Sequence, residues 1–282
     1  GVDVKPNSRR CSKGQSNLRR FDGCKSGLVA RTEMKLIINA DDFGLTYGVT
    51  QGIYDAIHHG VVTSTTMMVN TWAAAYAADL AREDPNLPVG LHINISLGNP
   101  ITECPSLLRN GSFVKPAALG SDDIYDEAQL EREVNAQYER FVELVGRNPT
   151  HIDSHLYAHQ KLGKVQRAIV ALAERHKLPV RDADTSFWRA PHFEGNFKVL
   201  PGEDVPELKE KFNRLVKNLQ DSRCTELMVH PGWADALLLK NSSYNIQRAY
   251  EYSVLTDPNS REYLQRLAVE LVSFKECEKI DG

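Results

Sequence analysis

The chain has 282 residues, 41% of them apolar and 25% charged, with a net charge of −3, which is an ordinary globular composition. Residues 1–33 hold eight Lys/Arg against three Asp/Glu, or +5, which leaves the remainder at −8 and poorly suited to a nucleic-acid backbone. Five widely spaced cysteines without a C-x-x-C pair argue against disulfides or a thiolate zinc site and for a cytoplasmic protein. No apolar run approaches the roughly 20 residues that cross a membrane.

Residues 1–33 lack periodicity and are rich in Arg, Lys, Ser and Gly. They are expected to be a disordered basic extension, with Met34 as the natural start of a single domain over 34–282. The run Lys35-Leu36-Ile37-Ile38-Asn39-Ala40 then ends in Asp41-Asp42-Phe43-Gly44, which predicts a buried strand of a parallel sheet. Ligands collect beyond the carboxyl ends of such strands. Two adjacent carboxylates there are costly unless a cation or a proton compensates them.

Val49, Ile53, Ala56 and Ile57 mark one face of a helix that Gly60 terminates. His58 and His59 suit its negative end. A strand is predicted at 65–69, an Ala-rich helix over 72–83 stopped by Asp84-Pro85, and a third buried strand over 89–95. The irregular stretch from 98 to about 120 is long enough to be a substrate loop.

Leu130, Val134, Tyr138, Phe141 and Val145 define a helix within 122–145. A strand over 150–155 and a helix carrying Leu162, Val165, Ile169 and Leu172 follow. A strand is predicted at 180–184, and 185–205, with Phe187, Trp188, Phe193 and Phe197, is read as a loop over the site. Leu208, Phe212, Leu215 and Leu219 mark another helix, and Thr225 to Val229 a strand running into His230-Pro231-Gly232. The tail is predicted as loop, a helix over about 259–270, and a last strand over 271–274. This alternation predicts an α/β protein with mostly parallel strands and right-handed crossovers. No G-x-G-x-x-G or Walker loop occurs, so the expectation is a distorted, TIM-barrel-like (β/α) barrel.

Four predicted strands end in polar groups: Asp41-Asp42, His92, His151-Ile152-Asp153-Ser154-His155 and His230-Pro231. In a parallel barrel these ends share one mouth. One carboxylate with two imidazoles suits Zn²⁺ or another borderline divalent ion with positions left for water and substrate. Each residue also has a structural reading. His92 alone would be a core histidine, His151 would pair with Asp153, His159 would cap a helix, and His230 would be structural. Only their coincidence at strand ends favours a site.

Ile38-Asn39-Ala40-Asp41-Asp42-Phe43-Gly44, Val62-Thr63-Ser64-Thr65-Thr66, Gly90-Leu91-His92, Pro149-Thr150-His151-Ile152-Asp153-Ser154-His155 and Val229-His230-Pro231 resemble the YdjC-type carbohydrate deacetylases, a group that includes chitooligosaccharide deacetylases. The resemblance implies one divalent metal ion, Mg²⁺ by family likeness with Zn²⁺ or another transition metal as options, held by Asp42, His92 and His155. It implies Asp41 as catalytic base and His230 as candidate acid, with Asp153, Tyr157, His159 and Arg181 at the substrate. The implied reaction removes the N-acetyl group from an acetylated mono- or oligosaccharide; no nucleic-acid or membrane partner is implied, and a homodimer is compatible. Many members read His-His-His-Val-His from the metal histidine onward, where this chain reads His155-Leu156-Tyr157-Ala158-His159, a departure at the substrate rim. A metal-dependent sugar isomerase or epimerase and a non-catalytic carbohydrate-binding barrel remain alternatives.

Overall fold

The computed structural model describes residues 34–118, 120–219 and 224–276; the extension expected over 1–33 lies outside them. β1 (Met34–Phe43) is the hub. Its apolar run is almost fully buried because strands flank it along its whole length. One edge pairs in parallel with β8 (Cys224–Val229) over Lys35 to Ala40. The other edge is shared in succession by β9 (Val269–Leu271) at Met34 to Leu36 and β2 (Ser64–Met67) at Asn39 to Phe43. With β3 (Val89–Ile93), β6 (Ile152–Ser154) and β7 (His192–Glu194), the order is β6-β3-β2-β1-β8-β7, with every pair parallel. The result is an all-parallel half-barrel sheet in an α/β fold, and the path from β6 to β7 is open.

Crossover helices supply the outer layer. α1 (Tyr47–His59) buries Val49, Ile53 and Ala56, and Thr46 caps it by accepting from the Val49 N–H at 3.3 Å. Gly60 ends it, as expected, in an extended conformation. Glycine is required there by close approach, since a Cβ would lie 2.5 Å from the Leu255 carbonyl. His58 and His59 pair with Asp84 and Asp55 at 3.1 Å each. α2 (Ala74–Glu83) starts two residues later than expected. α3 (Glu127–Val145) begins only at the Asp126 cap and ends at a left-handed Gly146. The 98–120 stretch contains a small antiparallel hairpin, β4 (Leu108–Arg109) and β5 (Ser112–Phe113).

α4 (Ala158–Lys161) is a single turn, and α5 (Gly163–His176) buries Val165, Ile169 and Leu172 as its spacing predicts. α6 (Val205–Asn218) has a full capping box between Asp204 and Glu207 and buries Leu208, Phe212 and Val216, each contributing roughly 1.5–3 kcal/mol. The strand expected at 180–184 is absent. Val180 makes isolated bridges to Ile152 and Ala183, and Asp182, with φ 51°, turns the chain away. The 185–205 segment holds β7, and its Trp188 and Phe197 are buried in the core, not poised over the site.

The tail departs most from expectation. α7 (Ala236–Asn241) and α8 (Ile246–Leu255) occupy what reads as loop, α9 (Pro258–Arg266) is shorter than predicted, and β9 lies at Val269–Leu271 instead of 271–274.

Candidate metal and active site

The β1–β2 register passes from Ala40↔Thr65 to Phe43↔Met67, so Asp41 and Asp42 together oppose the single residue Thr66. This is a β-bulge, a device that re-aims side chains beside functional sites. Asp42 takes φ 76°, a conformation costly for a non-glycine residue and concentrated at functional sites. The bulge explains how two consecutive strand residues, which normally point to opposite faces, both line one cavity of about 300 Å³.

Asp42 is buried, and its Oδ1 lies 2.9 Å from His155 Nδ1 and 3.3 Å from His92 Nε2. β3 and β6 pair His92 with Asp153, and His92 Nδ1 donates to Asp153 Oδ1 at 2.6 Å, the carboxylate–imidazole arrangement that aims Nε2 at a metal. His155 directly follows β6 and precedes Leu156 and Tyr157 at φ 55° and 60°, a strained turn that swings it over Asp42. Burial opposes charge on Asp42, yet His155 and Arg248 hold it well below the usual carboxylate range. Burial likewise opposes charge on His92, but Asp153 and Asp42 push it up to about 10.

Asp42 Oδ1 and His92 Nε2 are both buried without a hydrogen bond. The ligand atoms of Asp42, His92 and His155 lie within 4.8 Å of one another. Two orphaned buried atoms and an imidazole facing one point fit a divalent cation, whose binding would displace the Nε2 proton. Asp41, His92 and Asp153 also cluster, but Arg181 already bridges Asp41 and Asp153 at 2.6 and 2.9 Å, so that cluster has its cation.

Arg181 donates to both Asp41 oxygens, at 2.6 and 2.8 Å, and its Nε donates to Glu226 at 2.7 Å. Asn39 Nδ2 also donates to Asp41 Oδ1 at 3.0 Å. Asp41, His230, Tyr157 and Arg181 line the cavity beside Asp42 and His155. Two residues expected at the substrate are placed elsewhere. Asp153 is fully buried beneath His92, and His159 is packed between Ser154 Oγ at 2.6 Å and the Arg181 carbonyl at 2.9 Å. Both lie beneath the cavity, Asp153 on β6 and His159 on α4. His151 is core: it stacks on Phe274 at 3.7 Å, and Gly90 makes room for its ring.

The cavity's far wall is α8 and the residues before it, which sequence reasoning missed. Arg248 Nη2 donates to Asp42 Oδ2 at 2.6 Å. Glu251, fully buried, accepts from the His230 N–H and the Tyr244 hydroxyl. Burial pushes Glu251 up to about 7 and pulls His230 down to about 4 against the pull of Asp41 and Asp42. The available signal was Arg248 and Glu251 one turn apart in 246–255, behind Asn245, which accepts from the Ile246 N–H. Glu226 was visible as one acid inside the apolar end of β8.

The family model of YdjC-like proteins matches residues 35–266. The chain belongs to that family. It is 37% identical over 252 residues to a carbohydrate deacetylase 2 of Listeria innocua serovar 6a, covering 87% of this chain and all of that one. It is 35% identical over 247 residues to a chitooligosaccharide deacetylase of Enterobacter sp. (strain 638), covering 85% and 97%. A crystal structure from Enterococcus faecalis, whose name assigns it provisionally to cellobiose-phosphate cleavage, superposes with a TM-score of 0.78 at 30% identity, covering 86% of this chain and 98% of that one. Among the described residues, no helix is long and apolar enough to cross a membrane.

Proposed function

We propose that this YdjC-like chain is a metal-dependent carbohydrate deacetylase that hydrolyses the N-acetyl group of acetylated mono- or oligosaccharides and releases acetate. The observation that carries the reading is the bulge at the end of β1. It presents Asp42, with its Oδ1 facing His92 and His155, next to Asp41 in one cavity. Relatives named carbohydrate deacetylases over most of their length support the reaction class.

Asp42, His92 and His155 would hold the ion. A divalent ion there would supply a Lewis acid for the acetyl carbonyl and a bound water of lowered pKa. Two imidazoles and one carboxylate favour Zn²⁺ or a similar transition ion over the Mg²⁺ suggested by resemblance.

Asp41 is assigned as the base. Asn39 and Arg181 fix its plane, and Oδ2 accepts only from Arg181 Nη1, which leaves a lone pair for the water's proton. His230 is assigned the return of that proton to the leaving nitrogen. Its Nδ1 is buried without a partner, and with a pKa near 4 it begins neutral and must take up the proton before donating it. Tyr157 and Trp72, the latter 45% exposed at the rim, offer aromatic faces to a sugar ring.

The half-barrel sheet is read as a distorted (β/α) barrel over 34–282 and the protein as cytoplasmic, in keeping with the free Cys104 and Cys224. Light scattering would test the homodimer. The deciding experiment is a screen of N-acetylated mono- and oligosaccharides for acetate release, with and without chelator. Chelator-sensitive release is expected. No acetate from any substrate with any divalent ion would return the site to the isomerase or binding readings.

A further inference from the structure

Arg248 is buried at 3% exposure, and several contacts fix it independently of Asp42. Its Nε donates to the Tyr244 carbonyl at 3.1 Å, its guanidinium lies 5.8 Å from the centre of the Tyr244 ring, and its own carbonyl accepts from the Gly232 N–H at 3.2 Å. Tyr244 is anchored in turn, its hydroxyl donating to Glu251 and accepting from the Val199 N–H. From this rigid seat Nη2 donates to Asp42 Oδ2 at 2.6 Å. The other oxygen, Oδ1, is buried without a hydrogen bond and faces both imidazoles. The backbone of Asp42, at φ 76°, fixes where the carboxylate starts.

The two oxygens are therefore sorted, one to the guanidinium and one to the cluster. Turning the carboxylate so that both oxygens face the cluster would break a charge-assisted hydrogen bond inside the protein. We infer that Arg248 is a positioning residue that restricts Asp42 to single-oxygen ligation and thereby sets which cations the site accepts. Ca²⁺ gathers six to eight oxygens and commonly takes a carboxylate through both. Zn²⁺ is satisfied by three protein ligands of mixed N/O type plus water. A carboxylate held to one oxygen offers the first ion one ligand fewer while leaving the second its open positions. The inference rests on the metal reading of Asp42, His92 and His155, and is independent of the acetyl chemistry.

The test is competition titration of Zn²⁺ and Ca²⁺ against a chromogenic chelator, on metal-stripped full-length protein, for wild type, Arg248→Met and Arg248→Lys. In Arg248→Met the Ca²⁺/Zn²⁺ affinity ratio should rise by about tenfold or more, the scale of effects outside the ligand shell itself. Arg248→Lys, which keeps a cation and a donor, should stay near wild type. If Arg248→Met does not fold, Arg248→Gln, too short to reach Asp42, should show the same rise. A common loss of affinity for both ions would mean that Arg248 only braces the wall, and an unchanged ratio would equally overturn the inference. Failure of the wild type to bind either ion would overturn the metal reading itself, and the inference with it.

Discussion

Asp41 and Asp42 are neighbours in the chain but belong to two differently built regions. Around Arg181, three acids (Asp41, Asp153 and Glu226) surround one buried guanidinium, and both Asp41 oxygens are engaged by it. Around Arg248, one guanidinium meets a single oxygen of Asp42 and the other faces two imidazoles. The first region is a closed ion-pair nest; the second is left open on one side. Closed pairing fixes orientation, whereas an open, desolvated oxygen beside imidazoles is what a cation requires. The same residue type thus meets two different environments, set by the arginine beside it.

The largest effect should come from the open region. His92→Ala or His155→Ala removes a proposed ligand and should abolish stoichiometric metal binding, read by elemental analysis of the purified variants. His176→Ala, whose ring stacks on Tyr138 at 4.0 Å on the outer helices, should retain the metal. Full occupancy in both site variants would dissolve the distinction between the regions.

Asp41→Asn addresses the closed region. The amide keeps the shape and one acceptor but removes the proposed base. Turnover should fall by about 10²–10⁴-fold while the metal content stays at the wild-type level. Wild-type turnover would falsify the assignment of the base to the nest. Loss of metal would show that the two regions do not divide their work.

How far this division could be read from sequence depends on where each group is encoded. The open region was legible: Asp42, His92 and His155 each lie within one residue of a strand's carboxyl end, and strand ends in a parallel sheet converge whatever their separation in the chain. The bulge was not, because register depends on pairing with Thr66 and Met67, which local sequence does not state. The far wall was missed for a related reason. α8 is only ten residues long, and its site residues Arg248 and Glu251 interrupt its apolar face. Buried charge made to serve a site weakens the periodicity by which helices are recognised. The same logic misplaced Asp153 and His159, whose motif position was visible while their depth was not.

Asp153 joins the regions, since it accepts from His92 and also pairs with Arg181. Asp153→Asn should therefore weaken metal binding without destroying it, by about 10–100-fold, measured by the same competition titration. A loss as complete as that of His92→Ala would mean that Asp153 is itself a ligand.

The smallest effect concerns the charge balance of the closed nest. Three acids around one guanidinium favour retention of a proton by one of them. Burial, reinforced by Asp153 and Asp41 and opposed by Arg181, pushes Glu226 up to about 7, and its Oε2 is buried without a partner. A carboxyl group whose pKa is higher folded than unfolded binds more protons in the folded state. Its contribution to stability is therefore greatest below the unfolded value of 4.5 and declines as pH rises toward 7. Glu251, also near 7, adds a slope of the same sign. Asp42, held well below the carboxylate range, has the opposite sign, but its window lies at lower pH. Glu226→Gln keeps an oxygen for Arg181 Nε, places a neutral amide where the proton sat, and removes one of the two slopes. Between pH 4.5 and 7 the variant's unfolding free energy should fall less than the wild type's, by on the order of 1–2 kcal/mol, followed by denaturant titration across that range. An equally steep decline in both proteins would place the retained proton on another acid and leave Arg181 balancing a fully ionised nest.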